Sequence, residues 1–224
     1  MRSLHQLVVG HVYATHNNSR QVREALSRFY GQVSDAGLLL NVGSGVTSRR
    51  KGTINLDVAL SSTVDCVASG DALPFRSGHF AGAVSQEVLE HVPDPSAVLL
   101  EIKRVLRPGG YLYCQLPFII GYHPGPNDYW RFTVEGIRQI VLDAGLEIVE
   151  SGMSVGPATG FYRVVVEFVA SFAGALFPSA YRPAKGAAAI AFMPLKILDP
   201  LLSRSREANR LAGGYFVIAR KSRD

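Results

Sequence analysis

From Leu38 onward the chain alternates short apolar runs with stretches of helical period. LLLNV, 38–42, is an unbroken apolar run of the kind shown by a parallel strand buried on both faces. TINLDV, VDCVAS, AGAVS, YLYCQLPF, LEIVESGMSV and the closing GGYFVIARK read as further strands. Between them lie two segments with clear helix signals. In DPSAVLLEIKRVLRPGG, Asp94 caps, Pro95 suits the first turn, Val98, Ile102, Val105 and Leu106 share a face, and Pro-Gly-Gly stops the helix. In TVEGIRQIVLDAG, Thr133 caps, Glu135 favours the positive end, Ile137, Ile140, Val141 and Ala144 form the stripe, and Gly145 ends it. Strand–helix alternation with apolar strands predicts an α/β fold built on an open, mostly parallel sheet with helices on both faces.

Two regions fall outside this alternation. Residues 1–35 read as a helical preface, in which Val22, Ala25, Leu26 and Phe29 recur at helical spacing behind Ser19 as cap. Residues 156–212 interrupt the core, taken as 36–155 plus 213–221, with two apolar segments, FYRVVVEFVASFAGALF and GAAAIAFMPLKILDPLL. The run Phe161 to Phe177 falls short of the ~20 residues that span a bilayer, and it carries Arg163 and Glu167. Pro194 and Pro200 interrupt the second segment, and Lys196 and Asp199 charge it. Three readings stand for this insertion: a helical lid, a membrane-contacting element over 161–203 that collects a lipid-linked acceptor beside Arg182, Lys185, Arg204 and Arg206, or a dimer interface.

Composition narrows this little. The 224 residues are 47% hydrophobic and 18% charged with a net charge of +5, long enough for a sizeable core and mildly suited to anionic partners. The cations are scattered apart from Arg49-Arg50-Lys51 and the tail, so a nucleic-acid partner is not expected. Cys66 and Cys114 sit in apolar runs and read as buried free thiols. No Cys/His spacing resembles a zinc site, so no metal is expected, and the N-terminus does not read as a signal peptide. The expected location is the cytoplasm, with the membrane periphery as its variant.

Candidate chemistry begins at Gly43-Ser44-Gly45, directly after the first strand, where open α/β sheets bind ligands. A dinucleotide needs a third glycine, a full helix for the pyrophosphate and an acid about twenty residues on. Here Asp57 follows a stretch, VTSRRKGT, too short and polar for that helix. A ligand without phosphates but with a ribose diol fits better, because the Asp57 carboxylate can accept from both hydroxyls. Asp71, after the third strand, can accept from an exocyclic adenine amine. Adenine, ribose and a compact charged tail describe S-adenosylmethionine.

LNVGSG, INLD, GDALPF, VSQEVLEHVPDP and the helix ending RVLRPGGYLYCQLPF, in that order, resemble class I S-adenosylmethionine-dependent methyltransferases of the broad small-molecule type. The resemblance covers roughly residues 36–155 and the last strand. It implies a seven-stranded Rossmann-like sheet whose last strand is antiparallel. It also implies Gly43, Ser44 and Gly45 against the methionine part, Asp57 at the ribose, Asp71 and Ala72 at the adenine with Leu73 nearby, and Gln86 beside the sulfonium. Asn41 replaces the usual first-strand acid, and the shortened first helix brings Arg49, Arg50 or Lys51 nearer the site.

In this fold the loop FIIGYHPGPNDYWRFT overhangs the methyl group. His123, with an unperturbed pKa near neutrality, is the first candidate base for a hydroxyl or amine acceptor, and Asp128 the second. Tyr129, Trp130 and Arg131 are candidate substrate contacts. The structural alternative is a rigid loop in which Asp128 pairs with Arg131. Glu87 and His91 read as an i, i+4 pair on a helix, solvated or catalytic. The expected function is methyl transfer to a small-molecule or lipid- or glycan-linked acceptor, with a non-catalytic binding or scaffolding domain as the alternative.

Overall fold

A computed structural model describes residues 19–33, 37–47 and 50–223. The rest of the helical preface and Arg49 lie outside the described residues. The chain divides into two compact units. Of the described residues, the larger takes in most of Arg23–Pro117 with 123–152 and 215–223, and the smaller takes in 19–22, Phe118–Tyr122 and Met153–Gly214.

Seven strands form one sheet: β1 (Leu39–Val42), β2 (Thr53–Asp57), β3 (Cys66–Val67), β4 (Phe80–Gln86), β5 (Leu106–Pro117), β6 (Glu147–Val155) and β7 (Gly214–Arg220). Their order is β3-β2-β1-β4-β5-β7-β6. The pairs β1–β2, β1–β4, β2–β3 and β4–β5 are parallel. Gly109 N–H donates to Lys221 O at one end of the β5–β7 pair, and Phe118 N–H to Gly213 O at the other, so β7 runs antiparallel. The chain therefore reverses its winding between β1 and β4, and a crevice opens at the carboxyl ends of those strands.

Three helices serve this sheet: α1 (Arg20–Val33), α2 (Pro95–Val105) and α3 (Val134–Asp143). Ser19 Oγ accepts from Val22 N–H, Asp94 Oδ1 from Ala97 N–H and Thr133 Oγ1 from Gly136 N–H, so the three caps read from the sequence are formed. On one face of the sheet Ala25, Phe29 and Val33 of α1 pack with Leu39, Val84, Tyr113, Phe216 and Ile218. α2 ends three residues before the Pro-Gly-Gly expected to stop it. Leu106 is drawn into the ladder beside Phe80, and a register shift between Phe80 and Gly82 absorbs the extra residues, so Arg107–Gly110 begin a strand instead of ending a helix. Cys114 is buried as expected, while Cys66 sits half-buried on the short edge strand β3; both thiols are free.

The smaller unit is helical: α4 (Pro157–Leu176), α5 (Tyr181–Phe192) and the short α6 (Asp199–Leu202), joined by 3₁₀ turns. Tyr162 and Val166 of α4 pack on Ala188 and Ala189 of α5, and Tyr162 Oη donates to Ala189 O at 3.2 Å. Glu167 accepts from Tyr181 Oη at 2.7 Å and from Lys185 Nζ at 2.9 Å, so a charge that argued against a membrane helix is satisfied within the hairpin. α4 starts four residues before Phe161, and at 20 residues it is long and apolar enough to cross a membrane by length and composition. Its N-terminus is capped from afar. Asp199 accepts from the backbone N–H of Ala158 at 2.8 Å and of Thr159 at 3.2 Å, and from the Thr159 hydroxyl. A carboxylate there neutralises the positive end of the helix. Gly156 permits the approach, since a Cβ on it would lie 2.2 Å from Asp199 Oδ1. Asp199→Ala should lower stability by about 1–2 kcal/mol, read by urea denaturation, and raise amide exchange in the first turn of α4; unchanged exchange there would show that the contact is incidental.

Candidate active site

A cleft of about 280 Å³ opens at the carboxyl ends of β1, β2 and β4, lined by Val42, Gly43, Asp57, Ser69, Glu87 and His91 among others. Its floor is the turn after β1. Gly43 has φ +66°, and a Cβ on it would lie 2.3 Å from Val88 Cγ2, so only glycine lets this turn close against the one after β4. Ser44 N–H donates to Leu56 O at 3.0 Å, and Gly45 N–H to Asp57 Oδ2 at 2.7 Å. Asp57 Oδ1 accepts from Ala59 N–H at 2.9 Å. The carboxylate thus pins both flanking turns and still has acceptor positions for a diol, since two oxygens offer about four. Val58 projects beside it at the rim, and Gly70 keeps the opposite wall thin where Val98 of α2 meets Val42. Ser44 Oγ is buried without a hydrogen-bond partner. These residues suit a nucleoside with a free ribose diol.

Strand alternation sends the other expected residues elsewhere. Gln86 shares its face with Val84 and lines a separate cavity of about 60 Å³ with Asn41, Asn55, Arg50 and Tyr30. There Asn41 Nδ2 donates to Asn55 Oδ1 at 3.1 Å, Gln86 Nε2 to Gln115 Oε1 at 3.3 Å, and the Arg50 guanidinium lies 3.7 Å over the Tyr30 ring. Arg50 is therefore not brought to the cleft. Asp71 and Ala72 are exposed just beyond Gly70, and Leu73 is buried, its N–H donated to Glu101 Oε2 and its carbonyl bonded to Arg104.

Glu87, next after Gln86, has φ +55°, unusual for a side chain of its size, and turns into the cleft wall, where its Oε1 accepts from Gln115 Nε2 at 3.0 Å. The expected helical pair Glu87–His91 does not form, because only a 3₁₀ turn, Leu89–His91, follows. What this turn does instead is bury Glu90, 0% exposed, beneath the loop 123–131. Tyr129 N–H donates to Glu90 O at 2.8 Å, and the Trp130 indole to Val92 O at 3.0 Å. His91 Nδ1 lies 2.6 Å from Asn127 O. His123 is drawn to the same place, its Nε2 3.8 Å from Glu90 Oε1, while His91 Nε2 lies 3.7 Å from that oxygen. Sequence reasoning missed Glu90, since a glutamate between Leu89 and His91 looks like one more edge residue.

Asp128 stands in the clamp considered for it. Arg131 donates to Asp128 Oδ1 and Oδ2, both at 2.6 Å, and His123 N–H donates to Oδ2 at 2.8 Å. The guanidinium hydrogen bonds hold the Asp128 carboxyl below the usual carboxylate range, which makes it a poor proton acceptor. Trp130 and Tyr129 remain partly exposed on the same loop.

The fold is that of the class I S-adenosylmethionine-dependent methyltransferases. Residues 47–114 match the family described as Methyltransferase domain. The ubiquinone biosynthesis O-methyltransferase of Thiobacillus denitrificans is 29% identical over an alignment 118 positions long that covers 45% of this chain and 51% of that protein. The chain spans about half the length of the ubiquinone-biosynthesis relatives it matches. Among solved structures, phosphoethanolamine N-methyltransferase 2 of Haemonchus contortus, in complex with S-adenosyl-L-methionine, superposes with TM-score 0.58 at 14% identity, over 97% of this chain and 56% of that one. The [4+2]-cyclase SpnF superposes with TM-score 0.55 at 18% identity, over 91% of this chain and 82% of that one. At such identities the likeness is one of fold alone.

A depressed carboxyl such as Asp128 adds stability that is full above its unfolded value, about 3.9, and lost as pH falls through the lower folded value. Asp128→Asn should therefore cost about 2 kcal/mol at pH 6, and the gap from wild type should shrink below about pH 4. Urea titrations across that range check this; a gap constant with pH would show that the ion pair contributes nothing.

Proposed function

We propose that this chain is an S-adenosylmethionine-dependent methyltransferase acting on an oxygen or nitrogen of a small-molecule or lipid- or glycan-linked acceptor. The observation that carries it is the cleft itself: a glycine turn beside a carboxylate that can accept a ribose diol. Gly43, Ser44 and Gly45 would hold the amino-acid part, Asp57 the ribose, and Val58 with the Ser69–Ala72 stretch the adenine. When bound, the group supplies a methyl on a sulfonium, already activated for in-line displacement. The chain then has to align the acceptor, exclude water and take one proton. His91 reaches the cleft, His123 stands beside it, and both face Glu90. Of the two bases expected from the sequence, His123 fits this role, while Asp128, through its clamp, sets the height at which His123 sits. The naming of relatives as O-methyltransferases supports a hydroxyl acceptor.

Lipid linkage is supported by the smaller unit taken by itself. Phe161, Val164, Phe168, Phe172 and Leu176 of α4 recur at helical spacing and are all exposed, on the side away from Tyr162 and Val166. Exposed Ile197, Leu201, Arg204 and Arg206 follow in the same unit. An apolar stripe with nearby cations suits the surface of an anionic bilayer.

Calorimetric titration with S-adenosylhomocysteine should show binding that weakens at least about 100-fold, or about 2.7 kcal/mol, in Asp57→Ala; no binding to folded wild type would remove the enzymatic reading. Flotation with vesicles containing phosphatidylglycerol should capture the wild type, and Phe168→Glu with Phe172→Glu should abolish capture. Equal flotation of the variant would remove the membrane reading while leaving the cofactor site untouched.

A further inference from the structure

We infer that Glu90, His91 and His123 form a binding site for a divalent transition cation of the zinc type, with an open coordination position toward the cleft. One ligand atom from each lies within 4.8 Å of the other two. Both carboxylate oxygens of Glu90 are buried without a hydrogen-bond partner, although burial of such a group demands compensation. The two histidines present the same atom to it. His91 Nδ1 is 2.6 Å from the Asn127 carbonyl, which can only accept, so Nδ1 carries the proton there and Nε2 offers a lone pair toward Glu90. His123 Nδ1 lies 3.4 Å from Arg131 Nη2, which can only donate, so Nδ1 accepts there and Nε2 carries the proton toward Glu90. A cation bound at Nε2 would displace that proton, since metal binding releases protons from its ligands.

Distance separates this reading from a shared proton. Separations of 3.7 and 3.8 Å between Glu90 Oε1 and the two Nε2 atoms are too long for hydrogen bonds. Two donors each about 2.0–2.2 Å from a tetrahedral ion stand about 3.4 Å apart, so small side-chain rotations would close the set around one cation. Three protein ligands with a fourth position free is the pattern of sites that act on a substrate. His91 also lines the cleft beside Gly125 and Pro126, so an acceptor oxygen entering there would meet the open position, and the cation would make its hydroxyl acidic near neutral pH. That last role rests on the methyl-transfer reading, with the ion in place of a free His123 base; the binding itself does not rest on it.

Full-length protein stripped with chelator and titrated with Co²⁺ should develop the intense visible bands of tetrahedral cobalt, displaced by Zn²⁺. Glu90→Gln, His91→Ala and His123→Ala should each weaken Zn²⁺ at least about tenfold, with circular dichroism confirming that they fold. Asp57→Ala should keep full metal binding while losing S-adenosylhomocysteine, and metal-free wild type should still bind S-adenosylhomocysteine, so the two sites fail separately. Weak octahedral cobalt bands, or Zn²⁺ affinity unchanged in folded His123→Ala, would overturn the site.

Discussion

The contact between the turn after β1 and the turn after β4 is the constraint on which the rest depends. The place for a side chain on Gly43 is already taken by Val88, so the two turns interlock at the point where the sheet changes its winding direction. With that gap closed, the crevice can open only toward β2, and Asp57 lies at its end. Asp57 in turn ties both neighbouring turns through Gly45 and Ala59. One carboxylate therefore shapes the pocket and lines it, which makes a purely strand-ending role for it an incomplete description.

The same interlock explains how consecutive residues serve different surfaces. Along β4, Val84 and Gln86 point to the α1 side, where an amide network of Asn41, Asn55, Gln86 and Gln115 fills the space at the strand ends. At Glu87 the backbone enters the left-handed region and the next side chains leave the sheet. Residues of similar polarity thus divide between an internal amide network and the cleft wall by one step of strand parity. Strain of this kind persists where the surroundings over-determine it, and here Gln115 holds Glu87 through both backbone and side chain.

The strands, the helix caps at Ser19, Asp94 and Thr133, and the glycine turn were legible because each is a local signal of period, cap or spacing. The end of α2 was not, since ladder pairing of Leu106 with Phe80 outweighed the Pro-Gly-Gly stop. The length of α4 was underestimated because Pro157 begins the helix with its cap supplied by Asp199, far along the chain. At the cleft, Asp57 was visible as an acid ending a strand, and the structure places it in the lining. Glu90 was not legible, because nothing in VLEHV distinguishes a buried carboxylate from an exposed one until the later loop covers it.

That covering loop brings His123 to His91 and the buried Glu90. It is stapled to the 3₁₀ turn by Tyr129 and Trp130 from above and by Asn127 against His91, and it is stiffened internally by Asp128 and Arg131. Each staple is a hydrogen bond to a backbone carbonyl between segments distant in sequence, so none leaves a motif. Their joint effect is to hold two imidazoles, with rings 5.2 Å apart, over one buried carboxylate. The side of the cleft at Gly43 and Asp57 is thus written in short motifs on the strands, whereas the side at His91 is assembled with a loop. Such a loop can be rebuilt without disturbing the turns of the sheet, which suits a fold shared with a methyltransferase and a cyclase.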